Sequence, residues 1–73
     1  MKIKRYSVLI GKRKTSISLE PEFFEAAKAL ARRKGKSFIA LVSEIDAGCI
    51  LGSNLSSEIR LYVLADMQRR LEA

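Results

Sequence analysis

The stretch Lys14-Thr15-Ser16-Ile17-Ser18-Leu19 limits what this chain can fold into more than any other. Its alternation is that of a strand: Thr15, Ile17 and Leu19 point one way, Lys14, Ser16 and Ser18 the other. One face is apolar; the other is small, polar and basic. Glu20-Pro21 then ends the strand and opens a helix, because Pro21 suits a first helical position, where its missing N–H costs nothing. A lone strand of this length satisfies neither its backbone nor its apolar face, so it needs a partner strand. Two partners are available. One is the segment Ile3 to Ile10 of the same chain, which has fair strand propensity but no clean alternation, reached through a turn at Gly11-Lys12-Arg13. The other is the same strand of a second copy, paired antiparallel about a two-fold axis.

Downstream, periodicity predicts three helices. The first runs from Pro21 to about Lys34, with Glu22 and Glu25 in its first turn and an apolar stripe of Phe23, Ala27, Leu30 and Ala31. Gly35 is a natural left-handed stop after Arg32-Arg33-Lys34. Ser37 is a good N-cap for the second helix, in which Phe38, Leu41, Val42 and Ile45 recur at i, i+3, i+4 and i+7, and which ends near Asp46 or Ala47. Residues 48–53 read as a glycine-flanked loop with an apolar centre that should pack against something. Asn54 caps the third helix. Its stripe of Ile59, Tyr62, Val63 and Met67, widened by Leu61, Leu64 and Leu71, suggests burial from two sides, as at a subunit interface. The domain organisation expected is a basic arm or extra strand over 1–13, a strand–helix–helix core over 14–47 and a C-terminal helix over 54–72, all in one domain.

Composition narrows the functions. A chain of 73 residues is small, and a domain of this size buries only about 60% of its unfolded surface. Disulfides, a metal or oligomerisation usually supplement such a core. Cys49 is the single cysteine and there is no histidine, so no intrachain disulfide forms and no zinc site is expected. Oligomerisation is the remaining route, and a homodimer is expected. The lone thiol, flanked by Gly48 and Ile50, fits a reducing cytosol and an inert role. No apolar stretch is long enough for a membrane span. Val8-Leu9-Ile10 is too short for the core of a signal peptide. A cytoplasmic protein is expected, with no cofactor and no enzymatic activity: there is no catalytic dyad, and Gly11-Lys12 lacks the pattern of a phosphate-binding loop.

Charge is distributed unevenly. The whole net charge of +6 sits on Lys2, Lys4, Arg5, Lys12, Arg13 and Lys14, and the first acid of the chain is Glu20. This is the footprint of a polyanion-binding segment. A two-stranded ribbon fits the major groove of B-DNA. Ser16 and Ser18 hydroxyls can donate and accept there, and Lys14 can reach guanine or a phosphate.

The run Thr15-Ser16-Ile17-Ser18-Leu19-Glu20-Pro21-Glu22-Phe23, followed by Gly35-Lys36-Ser37 opening a second helix, resembles the ribbon–helix–helix family of Arc/MetJ-type repressors. The likeness covers residues 14–46, and Leu55-Ser56-Ser57-Glu58-Ile59-Arg60 also resembles the family's second-helix sequence. The family often has Arg, Asn or Gln on the strand where this chain has two serines. The resemblance implies a mainly α ribbon–helix–helix dimer with intermolecular antiparallel strands and, here, a third helix. It implies a sequence-specific regulator of transcription, a repressor, that binds double-stranded DNA. Lys14, Ser16 and Ser18 would contact bases. Lys2, Lys4, Arg5, Lys12, Arg13, Lys36 and Ser37 would contact phosphates, the last at a helix N-terminus. The alternative is an antitoxin-like module whose C-terminal helix binds a protein partner.

Overall fold

The computed structural model describes residues 2–49 and 54–72. Two strands, β1 (Lys4–Ile10) and β2 (Arg13–Leu19), precede three helices, α1 (Pro21–Arg33), α2 (Phe38–Ala47) and α3 (Leu55–Glu72). Of the apolar loop centre, Cys49 packs against the core; residues 50–53 lie outside those described.

The ribbon is formed within one chain. β2 pairs antiparallel with β1, from Lys4 opposite Leu19 to Ile10 opposite Arg13. This corrects the expectation that its partner is the same strand of a second copy. The physical reason is the turn. Only Gly11 and Lys12 separate the paired ends, and Gly11 has φ 62° while Lys12 is not left-handed. Glycine at the first central position with this sign pattern is the signature of a type II′ hairpin turn, whose twist matches that of the strands. Closing so short a loop costs little chain entropy.

The far edge of β2 is partly occupied as well. Ser18 turns both backbone groups away from β1. Its N–H donates to Ser56 Oγ at 2.8 Å, and its carbonyl accepts from Arg60 Nη2 at 3.0 Å. α3 therefore closes the edge at Ser18 that a partner strand would use.

Cross-strand partners share a face of the hairpin. Tyr6, Val8, Ile10, Thr15, Ile17 and Leu19 face the helices; Val8, Ile17 and Leu19 are buried. The three helices complete one core. α1 contributes Ala27, Leu30 and Ala31, α2 contributes Leu41, Val42 and Ile45, and α3 contributes Ile59 and Val63. These are the positions that helical periodicity marks. Phe23 and Phe38 pack at its margin. Tyr6 stacks on Phe24 of α1 with ring centroids 3.9 Å apart, and Phe38 meets Phe24 edge-on, which fastens β1 to the first two helices. At the turns, Gly35 takes φ 71°. Ser37 Oγ accepts from the Ala40 N–H at 3.0 Å and Asn54 Oδ1 accepts from the Ser57 N–H at 3.3 Å, so both cap as their residue types suggest.

α3 is buried on one side only. Leu61, Leu64, Met67 and Leu71 remain exposed, and Glu22, Phe23, Ala26, Leu64 and Met67 line a shallow groove of ≈ 150 Å³ between α1 and α3. Among the described residues no helix is long and apolar enough to cross a membrane.

Candidate nucleic-acid interface

The outer face of the hairpin carries Arg5, Ser7 and Leu9 on β1 and Lys14, Ser16 and Ser18 on β2. The register opposes Arg5 to Ser18, Ser7 to Ser16 and Leu9 to Lys14. A hydroxyl pair thus lies at the centre, a cation at each end and an aliphatic side chain beside Lys14. Arg5, Ser7, Leu9, Lys14 and Ser16 are exposed; Ser18 is half-buried beneath the Arg60 contact. Four residues of strand span about 13 Å, or about four base steps at 3.4 Å each.

The cations differ in what surrounds them. Among the described residues Lys4, Arg5, Lys12 and Lys14 form no ion pair. Arg13, at the hairpin end, bonds Asp46 at 2.6 Å. Lys36 pairs with Glu44, which holds the Glu44 carboxyl below its ordinary range mainly through that hydrogen bond. The positive potential of the open face is therefore not cancelled locally, whereas that of Arg13 and Lys36 partly is.

The residues expected to meet DNA are not all on one surface. Arg5, Lys14, Ser16 and Ser18 share the open face. Lys12 projects from the turn. Lys4 shares the alternation of Tyr6 and Val8, so it lies at the ribbon's start and off that face, and Lys2 precedes β1. The Arg13–Asp46 pair brings the C-terminal end of α2 to the hairpin tip. Lys36 and Ser37, at the other end of this ten-residue helix, lie about 15 Å away along its axis.

Ser7, Leu9, Ser56 and Arg60 did not stand out in the sequence. The signal for the first two was the Gly11-Lys12 spacing: a two-residue turn there puts 9 opposite 14 and 7 opposite 16. Arg60 also bonds Glu20 Oε1 at 2.8 Å. That bond is the main reason the Glu20 carboxyl sits below its ordinary range.

A two-stranded hairpin with an open basic and hydroxylated face, followed by helices that pack beneath it, is the architecture of a ribbon-helix-helix domain. The chain belongs to the ribbon-helix-helix domain family, whose model matches residues 3–67. The match takes in both strands, α1, α2 and α3 as far as Met67. The family is generally one of DNA-binding transcription regulators and antitoxins. Comparison with curated proteins and with solved structures gives no match.

Proposed function

We propose that this protein is a sequence-specific regulator of transcription, acting as a repressor, that reads the major groove of duplex DNA with the open face of the β1–β2 ribbon. The observation that carries this reading is the set of cations without ion-pair partners around a serine pair: Arg5 and Lys14 flank Ser7 and Ser16, with Lys12 at the turn and no acid before Glu20. A side chain already held by a carboxylate must break that bond to meet a phosphate, and these need not. Lys14 and Arg5 suit guanine O6 and N7, and serines contact any base edge at short range. Lys2, Lys4, Arg13, Lys36 and Ser37 serve at the margins, on phosphates. The test is selection of bound duplexes from a random-sequence pool at graded salt. Wild type should enrich a defined sequence and Ser16→Ala should alter it; a chain that binds no duplex even at low salt overturns the reading.

The family's proteins typically bind DNA as dimers. For this chain the exposed row Leu61, Leu64, Met67 and Leu71 supports a homodimer covered through α3. The same row supports a second reading, in which α3 docks a protein partner in the manner of an antitoxin. Sedimentation at micromolar concentration separates them: a dimer lost on Leu64→Lys favours the first, a folded 8.2 kDa monomer the second.

A further inference from the structure

Leu9 is out of place on the face just described. It is 57% exposed among Arg5, Ser7, Lys14 and Ser16, and Lys14 is its direct cross-strand partner. Among the described residues, the other exposed large apolar side chains lie off the two strands, on α2, on α3 and at Ile3 ahead of β1. A solvent-facing strand position favours a polar side chain, so an aliphatic one there gains only when something apolar covers it.

We infer that Leu9 is a specificity-determining residue that packs on the 5-methyl group of a thymine, while Lys14 beside it contacts a neighbouring guanine. The turn end of the ribbon would then select a thymine within about two base pairs of a guanine. The inference rests on the reading of this face as a duplex DNA surface. Its chemistry is specific, because the thymine methyl is the one apolar group among the base edges of the major groove. Arg5, Ser7, Ser16 and Lys14 present polar ends to it, and Leu9 alone on this face presents branched hydrocarbon. The distances agree. Cross-strand neighbours stand about 4.5–5.5 Å apart, more than one base step of 3.4 Å and less than two. Leu9 and Lys14 therefore address adjacent or next-but-one pairs.

Replacing thymine by deoxyuridine removes the methyl and leaves every donor and acceptor of the pair in place. The probe is the duplex that wild type enriches from a random pool, with each thymine exchanged singly for deoxyuridine and binding read by fluorescence anisotropy. One position should weaken wild-type binding about four-fold, the factor expected for losing about one buried methyl group. Leu9→Ala should bind the thymine and uracil forms of that duplex equally well. Its exposure makes the substitution harmless to folding, which thermal melting checks. The inference is overturned if every exchange is silent for wild type, if the selected duplex has no thymine, or if Leu9→Ala keeps the full uracil effect. Failure to enrich or bind any duplex overturns the DNA reading itself, a separate result from a duplex that is bound with silent exchanges.

Discussion

Arg60 and Ser18, 42 residues apart, are joined by a hydrogen bond of 3.0 Å from the guanidinium to the backbone carbonyl. Four residues earlier on α3, the Ser56 hydroxyl accepts the N–H of the same Ser18. One turn of α3 thus satisfies both backbone groups that β2 would otherwise leave open at this point. An unpaired strand edge is a template for further pairing, and covering it with a helix is one of the ways a protein protects it. The same contacts join the ribbon to α3 on the side away from β1.

Ser56→Ala should destabilise the fold by about 1 kcal/mol, the net worth of the hydrogen bond it accepts from the half-buried Ser18 N–H. Ser56 is 9% exposed, so water replaces the missing acceptor poorly. Urea denaturation measures this. A loss below about 0.5 kcal/mol, within the usual range of surface substitutions, would show that α3 does not hold the strand edge in this way.

Stability should fall on acidification in a manner that depends on Arg60. The Arg60 hydrogen bond holds the Glu20 carboxyl below its ordinary value. A depressed folded-state pKa contributes stability that is fully present above the unfolded-state value, about 4.3 for glutamate, and is lost as pH falls through the folded-state value. Wild type should therefore lose stability below about pH 4.3 by more than Glu20→Gln does. NMR titration should place the Glu20 carboxyl below the ordinary range in wild type and closer to that range in Arg60→Ala, where the backbone hydrogen bond to Glu20 remains. An unchanged titration in Arg60→Ala would contradict the assignment.

Gly11→Ala should cost about 1–3 kcal/mol, the penalty for a side chain held at a positive φ that only glycine adopts readily. Gly11 has φ 62°, and an added Cβ there meets nothing within 4 Å, so the whole cost is backbone conformation. Chemical denaturation would report it. Full wild-type stability would mean that the hairpin turn has a different geometry in solution.

Much of this fold is legible in the sequence. The Ser37 and Asn54 caps, the Gly35 reversal and the helical stripes all follow local rules: a side chain bonding its own backbone, or spacing at 3.6 residues. The pairing of β2 was not settled by such rules. Val8-Leu9-Ile10 runs apolar through both faces, and alternation marks a strand only when one face is polar. The Gly11-Lys12 turn resolves the choice because its two-residue length forces the register. The Ser18–Ser56 and Ser18–Arg60 bonds were not legible at all, since they join a backbone to side chains far away in sequence. For the interface, charge density pointed to the N-terminal segment. Only the register separates Arg5, on the open face, from Lys4, one residue away and off it.

The cations should differ in their electrostatic contribution to binding. Removing a cation that neutralises one phosphate should flatten the dependence of log affinity on log salt by about 0.9. Lys4→Ala and Lys12→Ala, neither of which breaks an ion pair among the described residues, should each approach that change on any duplex. Lys36→Ala should change the slope less, because Lys36 already pairs with Glu44. Equal effects at all three positions would place the N-terminus of α2 on the DNA alongside the ribbon.

The most direct measurement is an NMR titration of the isotope-labelled protein with a random-sequence duplex at low salt. If the open face of the ribbon is the DNA surface, backbone shifts should concentrate at Arg5, Ser7, Leu9, Lys12, Lys14 and Ser16 and fade as salt is raised. Shifts centred instead on Phe23, Leu64 and Met67, in the α1–α3 groove, with the ribbon unmoved, would contradict it.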